Sequence, residues 1–355
     1  MSLPLLENAR RTVGLLTSHN DLVLVALMVA VIGLMIVPLP TPIMDALIGA
    51  NMAMSFLVLM LSIYVRGALS FSTFPSLLLF TTLYRVGLNI ATTRLILLQA
   101  DAGEIIYTFG EFAVGGNFIV GAVVFLILTI IQFLVIAKGA ERVSEVGARF
   151  TLDAMPGKQM SIDADLRAGV INMEEAQRRR QEVGQESQMF GAMDGAMKFV
   201  KGDSIAGLIV TAVNIVGGTL IGVLQNGLSA GEALQLYGIL TIGDGLVSQI
   251  PSLIIAISAG ILVTRSGGET DNLGAQIGEQ IFAQPRALMV AGGLIILFAL
   301  IPGFPKPQLF TLGLILAGIG QTLKKISQSP ARPDFRQELS RTLKPAAAAR
   351  KEAPR

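Results

Sequence analysis

The sequence predicts an all-α polytopic membrane protein of about eight transmembrane helices, with a small cytoplasmic domain between helices four and five. Two observations carry that fold class. Hydrophobic residues make up 52% of the 355 and mean hydropathy is +0.65, too apolar for an ordinary soluble domain. Charge is also unevenly placed: residues 138–203 hold ten Lys and Arg and eleven Asp and Glu, while the long runs on either side carry almost none.

The elements follow in order. Residues 1–20 read as a polar cytoplasmic segment, with Arg10 and Arg11 close to the first apolar run. That run is too long for a signal-peptide core and no small-residue cleavage site follows it, so no signal peptide is expected. Crossing a bilayer takes about 20 apolar residues. Runs of that kind occupy 21–40, 43–64, 72–98 and 115–137, which together form a first membrane half, 21–137. A second half, 204–323, contains runs at 204–226, 234–264, 287–303 and 305–323. The sixth run is long enough to be tilted or broken. Pro302, Pro305 and Pro307 compress the last two into a tight helical hairpin. Residues 324–355 turn basic and then Pro/Ala-rich, a linker composition expected to lead to a domain that this chain lacks.

Basic residues set the orientation. With both termini inside, 24 of the 27 Lys and Arg are cytoplasmic, Arg85 and Arg94 lie within spans, and only Lys306 is outside. The opposite loop, 99–114, carries Asp101, Glu104 and Glu111 and no basic residue. This is the positive-inside pattern in strong form.

Inside the charged segment, Asn172 followed three residues later by Glu175 marks a helix start. Glu174/Arg178 and Glu175/Arg179 are i,i+4 pairs on an exposed face. Pro156–Gly157 is expected to break 153–165 into a shaped loop around Lys158. Gly218-x-x-x-Gly222 and the Gly313/Ala317 pair have the spacing at which helix backbones approach closely. They serve either packing within one chain or contact between subunits.

Several chemistries are excluded. The chain has no Cys, so disulfides, thiolate metal sites and thiol catalysis are out, and its one His, His19, precedes the first span. A net charge of +2 gives no basis for nucleic-acid binding. Thr241-Ile242-Gly243-Asp244 resembles the Gly-x-Gly-Asp word of intramembrane aspartyl proteases, but Thr stands at the first Gly and no second Asp motif appears. Met155–Gln159 is no phosphate loop. Neither an enzyme nor a metal or organic cofactor is expected.

Charge inside a bilayer is costly and so marks candidate sites. Arg85 and Asp244 are both near mid-membrane, while Arg94 and Asp45 lie near outer span ends; depth therefore pairs Arg85 with Asp244 and Arg94 with Asp45. Nine residues, about 900° of helix, put Arg85 and Arg94 on opposite faces. These pairs are either static clasps or a polar path for ions or protons, with Asn89, Thr81 and Thr92 as relay groups on the Arg85 face. Asp203, at the start of span five, is either an entry carboxylate or a helix cap.

Seven stretches in order resemble the FHIPEP family of export-gate proteins from bacterial type III secretion and flagellar export. They are Tyr84–Arg94 (YRVGLNIATTR), Val114–Asn117 (VGGN), Lys138-Gly139, Ala148–Asp165 (ARFTLDAMPGKQMSIDAD), Met193–Gly202 (MDGAMKFVKG), Leu240–Gly245 and Pro302–Pro305. The resemblance spans about 20–323, and Gln99–Gly103 with Asp153–Met155 is closer to the virulence branch than the flagellar one. It implies an inner-membrane protein that forms a homo-nonameric ring around the export channel and couples the proton-motive force to export. Its partners would be other export-apparatus membrane proteins, the secretion ATPase complex and the exported proteins, with chaperones docking on the absent C-terminal domain. The family's functionally sensitive Lys and Asp positions match Lys158, Asp163 and Asp203, with Asp163 and Asp203 expected to respond to protonation and Lys158 to modulate their charge. The alternatives are an ion-coupled secondary transporter of a small solute, for which no inverted repeat is evident, and a purely structural membrane ring.

Overall fold

A computed structural model describes residues 20–65, 67–265, 273–301 and 305–328. Arg10, Arg11, His19, Arg66, the Pro302–Phe304 part of the last turn and the tail from 329 lie outside the described residues. Among the described residues all regular structure is helical. The helices are α1 Asn20–Ile36, α2 Thr41–Tyr64, α3 Phe74–Gln99, α4 Glu104–Val114, α5 Phe118–Ile131, α6 Lys138–Arg167, α7 Met173–Leu224, α8 Ala230–Thr264, α9 Leu273–Phe282, α10 Pro285–Phe298 and α11 Lys306–Gln328. Each expected span falls on a helix, and five helices are long and apolar enough to cross a membrane. The chain is an all-α membrane protein, as its hydropathy predicts.

The chain divides into two compact units, up to residue 270 and from 271 onward. In the first, α3 and α8 form the centre: 56% of the most apolar stretch of each is buried, against 17% for α7. α3 packs against α1, α2, α7 and α8, and α8 also touches α2, α4, α5, α6 and α7. One apolar cluster joins Met44, Ile48, Leu88, Ile96, Tyr237 and Leu240. A second joins Phe74 and Leu78 to Met193 and Met197 of α7 and to Ile255 and Leu262 of α8. In the second unit α10 and α11 form the expected hairpin. A Cβ on Gly292 would lie 2.7 Å from the Gly313 carbonyl and 2.8 Å from the Ala317 amide, so the small pair there serves an in-chain crossing.

Glycine explains two further words. Gly218 and Gly222 both abut the Tyr237 ring, again a contact within the chain. At Gly243 a Cβ would run into the Ile106 carbonyl and stand 3.0 Å from the Gly110 amide. The protease-like word is therefore a backbone crossing of α8 with α4. The 99–114 segment, expected as an outside loop, contains α4 because Ile106, Gly110 and Val114 bury one face against α8.

The charged segment is built from two very long helices. α5 runs through a π turn at Gln132–Ala137 straight into α6, giving 50 continuous helical residues over Phe118–Arg167, and α7 has 52. At about 1.5 Å per residue each is about 75 Å long, more than twice a hydrocarbon core of about 30 Å. Gly169, at φ +70°, ends α6, with the Val170 amide donating to the Asp165 carbonyl at 3.0 Å. Asn172 Oδ1 then accepts from the Glu175 amide at 2.8 Å and starts α7. The expected break at Pro156–Gly157 is absent: Pro156 lies inside α6. Proline removes one helical hydrogen bond, yet the helix continues, and α7 runs beside it with the pairs Lys158–Glu186 at 2.6 Å, Asp163–Arg180 at 2.6 Å and Asp165–Arg179 at 3.5 Å.

Candidate functional site

α3 carries a buried polar stripe, Thr81, Arg85 and Thr92, in an otherwise apolar face. Opposite it, α7 presents Asp203. Arg85 Nε donates to Asp203 Oδ2 at 2.7 Å, and Nη2 lies 2.5 Å from the same oxygen. The two side chains are 1% and 5% exposed. Taking two charges out of water is repaid only when the geometry is close and the remaining hydrogen bonds are met. Here they are only partly met, since Arg85 Nη1 and Asp203 Oδ1 have no partner among the described residues. A buried polar atom left so costs about 1–3 kcal/mol.

The pairing of Arg85 with Asp244 is thus corrected. Asp203 does not cap span five; it lies well inside the continuous α7, level with Arg85. Lys198, Lys201 and Asp203 together look like a membrane boundary, but Asp203 turns inward while Lys198 pairs with Asp194 and Lys201 with Glu141.

Asp244, buried on α8 at 7% exposure, makes no ion pair among the described residues. It lines a cavity of about 10 Å³ with Asn51, Arg85, Asn89, Thr92 and Ser248. A second cavity, of about 40 Å³, shares Arg85, Asn89 and Ser248 with the first and reaches Asp203, Gln249, Thr129 and Gln132. Asp244, Arg85 and Asp203 therefore lie along one polar seam crossing α8, α3 and α7. Thr81 stays off it, its hydroxyl donating to the Leu78 carbonyl at 3.1 Å.

Arg94 and Asp45 do not pair, which corrects the second expected match. Arg94 donates to the Ile36 and Met35 carbonyls at 2.7 and 3.0 Å, the C-terminal end of α1. Asp45 accepts from the Glu104 and Ile105 amides at 3.1 Å, the N-terminal end of α4. Each charge sits on the helix end whose dipole it complements. Gly103, at φ +106°, is required there, because a Cβ would stand 2.8 Å from Asp45 Cγ. Nor does Lys158 face Asp163: their partners are Glu186 and Arg180. These two pairs are substantially exposed, with 31–46% of each side chain accessible. Nearby, Arg178 and then Arg179 pull the Glu175 carboxyl from 4.5 down to about 2.

The FHIPEP family matches residues 31–354, nearly the whole chain. This protein belongs to the FHIPEP family. It is similar to the Low calcium response locus protein D of Yersinia pestis, 59% identical over 308 residues, covering 86% of this chain and 44% of the relative. The Hypersensitivity response secretion protein HrcV of Ralstonia nicotianae is 54% identical over 310 residues, covering 86% of this chain and 45% of the relative. Protein MxiA of Shigella flexneri is 54% identical over 303 residues, covering 85% and 44%. The chain spans about half the length of the curated relatives it matches. No solved structure matches it.

In this FHIPEP chain, sequence reasoning found Arg85, Asn89, Asp203 and Asp244 but missed Asn51, Thr129, Gln132, Ser248 and Gln249. A signal was available. Over Phe118–Ala137, a run of 20 residues, Thr129 and Gln132 are the only polar side chains, and both line the seam. Polar groups in an apolar span usually mark a path or a partner.

Proposed function

We propose that this chain is the membrane portion of an inner-membrane export-gate component of a bacterial type III protein secretion system, with both termini cytoplasmic. In this reading copies form a ring around the export channel and couple the proton-motive force to export of unfolded proteins. Family membership and relatives whose names include secretion support the system. The observation that carries the mechanism is the buried Arg85–Asp203 pair, clasped where α7 passes unbroken into the charged hairpin. Protonating Asp203 would release Arg85, and a change at the pair would be transmitted along a rigid helix. A proton falling through the membrane potential supplies about 2.3 kcal/mol per 100 mV, enough to bias two arrangements and too little to unfold a domain.

Neither catalysis nor a cofactor is needed, the gradient being the energy source. Partners would be other copies, the remaining export-apparatus membrane proteins, the secretion ATPase complex and exported proteins; chaperones would dock on a C-terminal domain of the longer relatives. A solute transporter fits less well, because the seam's cavities of about 40 and 10 Å³ are far below the roughly 300–1,000 Å³ of small-molecule sites. The test is secretion by a full-length protein carrying Asp203→Asn or Asp203→Glu, with membrane insertion and assembly measured alongside. Loss of export in the first, with assembly retained, and partial export in the second are expected. Normal export with Asp203→Asn would remove Asp203 from the mechanism.

A further inference from the structure

Around the Arg85–Asp203 pair, unmet donors and acceptors gather in one place. Arg85 Nη1 and Asp203 Oδ1 have no partner among the described residues. Gln249 gives its amide N–H to Thr129 Oγ1 at 2.6 Å, and Gln132 gives its own to the Gln249 carbonyl at 3.3 Å; neither side-chain amide oxygen accepts a protein hydrogen bond among the described residues. All four residues line the cavity of about 40 Å³. A water needs about 10–15 Å³ and two to four polar partners, so the space suits a short file of about three.

The walls show where such a file would lead. α3 and α8 supply part of the lining, and α5, its π turn and α7 supply the rest, the π turn itself packing against α7. On α7, Asp203, Gly207 and Thr211 follow at four-residue steps and all line the cavity. A Cβ on Gly207 would meet nothing within 4 Å, so the wall there is open. The π turn begins at Gln132, the residue that must reach across to α8. A π turn re-aims side chains at the point where it interrupts a helix.

We infer that the gap between α5 and α7 is a hydrated passage to Asp203, in which Gln132 and Gln249 are positioning residues that hold water against the ion pair. It rests on the coupling reading for its purpose, proton access to Asp203, but hydration can be measured separately.

The chain has no native Cys, so single introduced thiols report on hydration directly. Ser204→Cys and Thr211→Cys line the cavity, while Ile209→Cys and Val216→Cys place thiols on the exposed apolar face of the same helix. Each variant of the full chain, in membrane vesicles of both orientations, is treated with a cationic membrane-impermeant methanethiosulfonate. Cavity thiols should react at least tenfold faster than those at 209 and 216, and adding Gly207→Leu should suppress the difference while Gly207→Ala leaves it. Leucine favours a helix interior over glycine, so the plug should not unfold α7. Gln132→Leu with Gln249→Leu should likewise slow labelling at 204. Equal rates at cavity and lipid-facing positions, or rates unmoved by Gly207→Leu, would overturn the passage. Fast cavity labelling with normal export by Asp203→Asn would keep the passage and remove the coupling.

Discussion

Breaking the Arg85–Asp203 pair from each side, and then from both, separates a clasp from a switch. Asp203→Leu leaves a guanidinium buried with its partner gone; Arg85→Leu leaves a carboxylate. With the side chains 1% and 5% exposed, bulk solvent reaches neither charge, and the few waters inferred in the adjoining cavity would offset only part of the loss. Each single substitution should therefore cost about 3–5 kcal/mol, the range for removing one partner of a buried pair. Asp203→Leu should be the worse of the two, since a guanidinium does not lose its proton and a carboxyl can gain one. The double variant removes both charges and fills the space with methyl groups, a change that is often neutral or stabilising. It should fall short of the summed singles by at least about 3 kcal/mol, well above the roughly 0.5 kcal/mol expected of independent sites. With no Trp and four Tyr, intrinsic fluorescence is a poor probe. Far-UV circular dichroism through a denaturing-detergent titration in mixed micelles suits an all-helical chain. Additive costs would show that the pair is not energetically coupled and would refute the argument. If the double variant is stable yet export-dead, the charge itself is needed; if it exports, the pair is only a clasp.

Two other predictions rest on the geometry. Gly243→Ala should destabilise the fold by about 1–3 kcal/mol or more, because its Cβ meets the α4 backbone, which cannot rotate away as a side chain can; Gly260→Ala, on the same helix with nothing within 4 Å, should be neutral or slightly stabilising, and detergent-denaturation midpoints of both compare them. The second concerns pH: Glu175 is held down by Arg178 and Arg179, from 4.5 to about 2, so its contribution is fully present above 4.5 and lost as pH falls toward 2. Amide hydrogen exchange in the first turn of α7, corrected for intrinsic rates, should lose protection across that window, and Glu175→Gln should abolish the dependence.

Local patterns in the chain determined a great deal. Hydropathy placed every span on a helix, Asn172 marked a helix start that the structure uses, and a separation of nine residues put Arg85 and Arg94 on opposite faces of α3, which the fold turns toward α7 and α1. Seven short words identified the family. Those features depend on periodicity, capping and composition, which act over a few residues.

Partner choice was decided only by tertiary packing. Depth matching allowed Arg85 only the acids on apolar runs, yet Asp203, written among Lys198 and Lys201, lies on a helix that stays unbroken through that cluster. Arg94 and Asp45 found helix ends instead of each other, because backbone carbonyls and amides at a terminus carry partial charge that no residue letter records. Pro156 lies inside an unbroken α6, where Lys158 meets Glu186 of α7, 28 residues farther along the chain. For the charges the deciding term was a contact between elements distant in sequence. A one-dimensional pattern can require that a buried charge be satisfied; which atom satisfies it depends on how the helices are stacked.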